Sequence, residues 1–275
     1  MAIITISRQV GSLGDEAAAA LAEEMGYRQL TAAEVHQVAA GHDPGFAKDL
    51  EKLGREGHPG FWEKLLLGWA YYASLYAAVI YELASQDKYI IMGRGAQVVL
   101  KDVPGVVRIR VVAPTEVRVA RLGQSLGLSP EEARSYLESH DHERRELVRN
   151  IFEHDPRDWS LYNLVINSSA LDVPGVVALI RQAREELARV NPGKAPVEIL
   201  AALALGKLVE TRVRRKVLPS KLLTARGEPG GVVVVGGYLP SDTDRQKALD
   251  LAAQTEGVRE VRDEVQVSRL PAYYR

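Results

Sequence analysis

The N-terminal run Ile3-Ile4-Thr5-Ile6-Ser7 breaks into Arg8-Gln9-Val10-Gly11-Ser12-Leu13-Gly14-Asp15, and an alanine-rich stretch from Glu16 to Met25 follows. An apolar strand that turns through Gly and Ser into a helix is the most restrictive pattern in the chain. In this layout the backbone N–H groups at the helix N-terminus can cradle phosphate. Gly11, Ser12 and Gly14 let the backbone approach an anion, and the helix dipole adds about half a positive charge. The G-x-x-x-x-G-K-[ST] pattern is absent, so the usual lysine is missing. Arg8 is the nearest cation that can replace it, with a guanidinium able to grip phosphate in two places. The same residues also suit a plain glycine turn between strand and helix.

The alternation continues to residue 190. Strand patterns are predicted at Tyr89–Met92, Val107–Val112 and Leu164–Asn167. Helical patterns are predicted at Thr31–Ala40, Phe61–Gln86, Thr115–Leu126, from Pro130 to about Phe152, and at Val173–Val190. Thr31 with Glu34 matches a capping box, and Ser129-Pro130 places an N-cap before a first-turn proline. Residues 42–60 read as an irregular segment. Short apolar strands between helices mean a parallel sheet covered on both faces. Asn191-Pro192-Gly193-Lys194-Ala195-Pro196 reads as a linker. Beyond it, a helix over Val197–Val217, strands at Leu222–Arg226 and Val232–Gly237, a helix over Ser241–Thr255 and a strand at Val258–Val267 form a small α+β module. The expected division is therefore 1–190 and 197–270.

With 275 residues, 46% of them hydrophobic, the chain can bury one large core or two smaller ones. The net charge of −1 argues against a global affinity for nucleic acid or an anionic membrane. There is no cysteine, which excludes disulfides and thiolate metal sites. The apolar stretch Leu65–Leu83 is interrupted by Gly68, Ser74 and Glu82 and carries five Tyr and Trp residues, so a buried helix is expected rather than a membrane span. No basic segment followed by an apolar one opens the chain, so no signal peptide is expected and a cytoplasmic location is the default.

Other residues carry chemistry. Gly93-Arg94-Gly95 follows a buried strand, where open α/β sheets bind ligands. Arg94 there suits a phosphate or a base edge, or else is a solvated turn residue. Arg118 and Arg121 share a helix face, as do Asp141 and Arg144, with Arg145 and Arg149 beyond. Arginines gathered at a phosphoryl site neutralise transition-state charge; alone, they also read as a solvated basic face. His140, His142 and His154, with Asp141 and Asp155, present no convincing ligand face, and no metal site is expected from them.

Taken in order, these motifs resemble a known family. They are Ile4-Thr5-Ile6-Ser7-Arg8-Gln9-x-Gly11-Ser12-x-Gly14; Gly93-Arg94-Gly95-Ala96; Arg108-x-Arg110-Val111-Val112-Ala113-Pro114 with Arg118 and Arg121; Asp141-x-x-Arg144; and Trp159-x-x-Tyr162-Asn163-Leu164-Val165-Ile166-Asn167-Ser168-Ser169. The set resembles the cytidylate kinase-like proteins over residues 1–185. The resemblance implies a P-loop kinase-like parallel sheet with helices on both faces. It implies phosphoryl transfer from ATP, with Mg2+, to a CMP-like acceptor, or a catalytically degenerate relative that binds a nucleotide or other anion as a sensor. Ser7, Arg8, Gly11, Ser12, Leu13, Gly14, Asp15 and Glu16 would hold the ATP phosphates. Arg94, Gly95 and Asp141 would meet the acceptor. Arg8, Arg118, Arg121, Arg144 and Arg145 would carry the chemistry.

The chain departs from the pattern of true cytidylate kinases at four places. The lysine position falls on Gly14 and the Mg2+-binding Ser/Thr position on Glu16. Leu13 stands where glycine is usual among the kinase-like relatives, and Gly95 replaces an acidic residue.

Residues 197–267 resemble a BON domain, carried by the leading helix, Gly230-Gly231-Val232-Val233-Val234-Val235-Gly236-Gly237, the Ser241–Ala253 helix and Gly257-Val258-Arg259-Glu260-Val261. Such modules bind membranes, phospholipid or protein and imply no catalytic residue. Residues 181–226 hold eleven Lys/Arg against four Asp/Glu, with Arg212, Arg214, Arg215 and Lys216 clustered. That cluster reads either as a surface for an anionic lipid, nucleic acid or polyphosphate, or as a helix face packed at a domain junction. Nucleotides are the expected small-molecule partners, and self-association is left open.

Overall fold

The computed structural model describes residues 3–30, 32–43, 59–86, 88–93, 95–190, 197–217 and 222–268, with the backbone alone at 32 and 59–69. The Thr31 cap, Arg94, most of the irregular 42–60 segment and the 191–196 linker lie outside these residues. The chain forms two compact units, one of residues 1–32 with 86–195 and one of residues 33–85 with 196–275. The sequence division breaks the chain once, between 190 and 197. The compact units add crossings at 32/33 and 85/86, because periodicity along an apolar helix does not report which surface it packs on.

In the first unit, β1 (Ile3–Arg8) lies at the centre of a five-stranded parallel sheet. Its neighbours are β2 (Arg28–Leu30), β3 (Tyr89–Met92), β4 (Val106–Val112) and β5 (Leu164–Asn167), in the order β2-β3-β1-β4-β5. β2 has only three residues, too short to show a period, and the sequence does not announce it. α1 (Gly14–Met25) and α7 (Val173–Val190) are this unit's longest-range packing partners. Between them come α4 (Ala96–Val99), α5 (Thr115–Leu126) and α6 (Pro130–Phe152). α6 opens on the expected cap: the Ser129 side chain accepts from the Glu132 N–H and Glu132 reaches back.

The period-two alternation of the strands separates two chemistries. Ile4 and Ile6 of β1, with Val107, Ile109 and Val111 of β4, pack with Ala17, Leu21, Val176 and Ile180 in one buried cluster. Burying each such side chain contributes about 1.5–3 kcal/mol. The alternate positions carry Thr5 and Ser7 on β1 and Arg108 and Arg110 on β4, and the register sets Ser7 directly opposite Arg110. One face of these two strands is thus apolar, and the other carries Ser7 and Arg110 toward the carboxyl ends.

The second unit contains α2 (Ala32–His42), apart from its first residue, and α3 (Pro59–Ser85) with α8 (Val197–Lys216). A three-stranded sheet follows, of β6 (Leu223–Glu228), β7 (Val232–Leu239) and β8 (Glu260–Val267), with α9 (Asp242–Ala253) before β8. β6 and β7 are antiparallel, and β7 and β8 are parallel. α8 lies against β6 backbone to backbone. A Cβ on Gly206 would fall onto the Gly227 nitrogen, and one on Gly227 onto the Ala202 carbonyl.

Three arginines of the α8 basic cluster hold partners within this unit. Arg214, 6% exposed, donates to the Ala70 carbonyl of α3 at 2.8 Å and to the Leu223 carbonyl at 3.0 Å. Its counter-charge is Glu210, 1% exposed, at 2.5 Å. Burial pulls the Arg214 guanidinium below its ordinary pKa while Glu210 opposes the shift. Arg215 pairs with Asp43 and lies over the Tyr71 ring, and Arg212 donates to the Gln254 carbonyl. Arg214 is buried and Arg215 stays exposed while holding its partners.

Gly206→Ala is expected to wedge α8 off β6 and to cost about 2–3 kcal/mol or more. A lowered midpoint in denaturant unfolding of the full chain is the readout; an unchanged midpoint would refute the backbone contact.

Candidate active site

The loop between β1 and α1 is held by its carbonyls. The Val10 carbonyl accepts from Arg118 Nη1 at 3.1 Å and the Gly11 carbonyl from Arg121 Nη1 at 3.4 Å. The Ser12 carbonyl accepts from Ser168 Oγ at 2.7 Å, the Leu13 carbonyl from the Ala17 N–H at 2.9 Å, and the Arg8 carbonyl from Arg144 Nη1 at 3.3 Å. Ser12 is fully buried, and its hydroxyl donates to the Gln9 and Val111 carbonyls. Gly11 and Leu13 both take the left-handed conformation, at φ 69° and 66°. Leu13 is the N-cap of α1 and gives no side-chain cap. The first-turn N–H groups of Gly14, Asp15 and Glu16 have no helical acceptor, as at any helix start. A backbone with its carbonyls tied back and its first-turn donors uncapped can receive an anion.

A Cβ on Gly14 would lie 2.5 Å from Arg8 Cβ and 3.3 Å from Val111 Cβ. The Arg8 stem therefore fills the space that a side chain at position 14, lysine included, would need. The Arg8 guanidinium crosses to Asp15, with Nε at 2.9 Å and Nη2 at 2.6 Å from Oδ1. Arg144 Nη2 stands 3.8 Å from Asp15 Oδ2. A cation carried on the strand thus stands beside the first helical turn.

Two cavities flank this loop. One, of about 540 Å³, opens at the carboxyl ends of the strands and is lined by Ser7, Arg8, Met92, Gln97, Arg110 and Arg157 among others. The other, of about 670 Å³, lies beside Gly11, Leu13, Glu16, Arg121, Leu126 and Tyr136. Asp15, His140 and Arg144 line both.

The expected site residues fall into distinct places. Ser7, Arg8, Asp15, Asp141, Arg144 and Arg145 line the first cavity. Arg118 is 5% exposed and is clamped between the Val10 carbonyl and Asp141 Oδ2, the latter at 2.6 Å. Asp141 Oδ1 accepts the Val10 N–H at 3.0 Å, so both of its oxygens are engaged by protein donors. Arg121 also binds Ser168, at its hydroxyl and its carbonyl. Gly95 takes φ 74°, and a Cβ there would strike the Phe152 ring, so no acidic side chain could replace it in this packing.

Arg110, Tyr162, Arg157, Gln97 and Gln29 are not among the site residues expected from the sequence. The alternation of Arg108 and Arg110 with Val107, Ile109 and Val111 marked Arg110 as facing away from the core; nothing local marked Gln97. Arg157 holds the Asp155 carboxyl at about 2 against an ordinary 3.8. That pair is therefore complete above the ordinary value and is lost only as the pH falls through about 2. Among the described residues, no group of three His, Cys, Asp or Glu could hold a metal ion.

A β2-β3-β1-β4-β5 parallel sheet with a phosphate-type loop after β1 is a P-loop kinase fold. Residues 3–170 match the cytidylate kinase-like family, and the chain belongs to that family. Residues 207–269 match the BON domain, which the chain carries at its C-terminal end. It is 31% identical over 106 residues to the cytidylate kinase of Pyrococcus horikoshii, covering 38% of this chain and 54% of the relative. The cytidylate kinase of Pyrococcus abyssi is 30% identical over 106 residues, with 38% and 58% covered. The chain spans about half the length of the curated relatives it matches. The crystal structure of an uncharacterized protein from Eubacterium ventriosum shares the fold at a TM-score of 0.53 and 21% identity, over 67% of this chain and 98% of that one.

Asp141→Ala is expected to leave the buried Arg118 guanidinium without its counter-charge and the Val10 N–H without its acceptor. A loss of about 2–4 kcal/mol in unfolding free energy follows, measured by denaturant titration; a loss below 1 kcal/mol would show that the clamp carries little.

Proposed function

We propose that the first unit is a nucleoside monophosphate kinase that moves the γ-phosphoryl group of ATP to a CMP-like acceptor, in a cytoplasmic protein whose BON domain is its partner-binding module. The observation that carries this reading is the pair of cavities meeting at Asp15, His140 and Arg144, on either side of one anion-receptive loop. Two substrates held on opposite sides of such a loop can meet in line.

The residues present suit a triphosphate. The uncapped first turn of α1 offers N–H donors, and the Gly14 surface lets Arg8 stand beside them. Magnesium entering with the nucleotide would neutralise charge across the phosphates, and Asp15 and Glu16 are the acids beside that turn that would face it. Arg8 and Arg144 hold positive charge where the acceptor oxygen bonds the phosphorus and the bond to the leaving ADP oxygen breaks. An ionised acceptor phosphate needs no general base. The arginines of α6 would also help exclude water.

A second reading has its own support. The Arg8 guanidinium is already paired with Asp15, and Leu13 takes a backbone conformation that favours glycine. Both features suit a domain that binds a nucleotide or other anion without turnover. ATP-dependent phosphorylation of a nucleoside monophosphate panel with magnesium separates the two. Conversion of CMP or dCMP is expected; measurable nucleotide affinity with no product from any member would establish the sensor reading. Arg8→Ala is expected to lower kcat about 100-fold or more, and an unchanged kcat would remove Arg8 from the chemistry.

A further inference from the structure

The small sheet of the second unit has two edges, and they are finished differently. The β6 edge lies against α8, whose Glu210 accepts the Ala225 N–H at 3.1 Å and whose Arg214 donates to the Leu223 carbonyl. The β8 edge has no neighbouring strand among the described residues. β8 runs through eight residues in unbroken register with β7, without proline or bulge, and Val265 is its one buried residue. The Ser268 N–H donates to the Leu239 carbonyl, so the even-numbered residues turn their backbone groups toward β7. Val261, Asp263, Val265 and Val267 turn theirs outward. In keeping with this, the Val265 N–H donates to the Asp263 carboxylate of its own strand at 2.9 Å. A long, regular edge of this kind is a template for another strand.

Charge decides which strand fits. Glu260, Arg262, Glu264 and Gln266 share one face of β8. Arg262 bonds Glu260 and Glu228 of its own chain, whereas Glu264 has no ion pair among the described residues. Two copies of β8 laid antiparallel about a two-fold axis must match outward-facing residues with outward-facing residues. Only an axis at Asp263 or at Glu264 then pairs nearly the whole strand. The axis at Glu264 sets that carboxylate against its own copy. The axis at Asp263 sets Arg262 against Glu264 twice, Glu260 against Gln266, and Val261 against Val265. The two Asp263 carboxylates that meet on this axis are each held by their own Arg245, at 2.8 Å from Nε. The Val265 N–H would pass from Asp263 to the second strand, in a ladder of about six N–H···O bonds.

We propose that β8 is a self-association edge, through which two copies of this chain pair antiparallel about a two-fold axis at Asp263. The contact joins two three-stranded sheets into one. It names a second copy as a partner of the second unit and does not depend on the kinase reading.

Sedimentation velocity of the full chain, run from micromolar to near-millimolar concentration, tests it. The wild type is expected to pass from monomer to dimer as concentration rises. Arg262→Glu and Glu264→Arg each set like charges opposite one another, and each should weaken the dimer roughly tenfold or more. Mixed in equal amounts, the two variants should associate again, because the acidic strand of one meets the basic strand of the other. A change internal to one chain cannot produce that rescue. The unfolding midpoint checks the fold of each variant, and should one fail to fold, the other still decides against the wild type. A wild type that stays monomeric at the highest concentration would overturn the proposal. So would a dimer whose affinity neither substitution changes, or folded variants that stay apart on mixing. Turnover of nucleoside monophosphates, assayed separately, bears on the kinase reading alone.

Discussion

The chemistry of the first unit depends on where the β1–α1 loop sends its carbonyls. Peptide units are dipoles, so a loop can offer N–H groups to an anion only if its carbonyl oxygens are satisfied elsewhere. Here Arg118, Arg121, Arg144 and Ser168 take the carbonyls of residues 10, 11, 8 and 12. These partners come from α5, from α6 and from the end of β5, so three separate elements fix one short loop. Arginines that read in the sequence as charge for a phosphoryl group are, for Arg118 and Arg121, first of all donors to backbone. The charge of Arg118 is matched by Asp141, while that of Arg121 lies behind the loop and has the same sign as the helix N-terminus.

Much of the first unit was legible because two periods were clear. The runs at Ile3–Ser7, Tyr89–Met92, Val107–Val112 and Leu164–Asn167 all become neighbouring parallel strands. The Ser129-Pro130-x-Glu132 start of α6 forms as its capping chemistry requires. β2 escaped because Arg28–Leu30 is too short to show alternation. The attachment of α3 to α8 escaped for a different reason. It rests on Arg214 finding the Ala70 carbonyl, 144 residues away in sequence, while the close approach of α8 to β6 rests on glycines at 206 and 227. Pattern arguments see neither.

The site was legible in part. Arg8, Asp15, Asp141, Arg144 and Arg145 gather at one cavity, as expected of residues that share motifs. Two omissions have different lessons. Arg110 carried a signal, since a charged residue alternating with β-branched ones in a central strand must face either solvent or a site. Gln97 carried none, because a glutamine in a short helix becomes informative only when its place on the cavity wall is seen. Gly95 shows the converse: it reads as part of a binding turn, and in the structure it takes φ 74° with the Phe152 ring packed over it.

Gly14 and Arg8 are best understood as one feature. A lysine at position 14 would reach the phosphates from the helix, and its Cβ would occupy the space taken by the Arg8 stem at 2.5 Å. Removing the lysine is therefore the condition for bringing Arg8 close to the first turn. The exchange alters more than the origin of the charge. Arginine offers a planar fork that can hold two oxygens at once, where lysine offers a compact point charge. The fork is occupied by Asp15 in the structure, and Arg144 competes for the same carboxylate at longer range. Asp15 has two oxygens and two guanidiniums beside it, so an arriving phosphate can draw one of them away without stranding the acid. A lysine would present a point charge from the helix, whereas on the proposed reading this charge would become available only when an anion takes the place of the carboxylate.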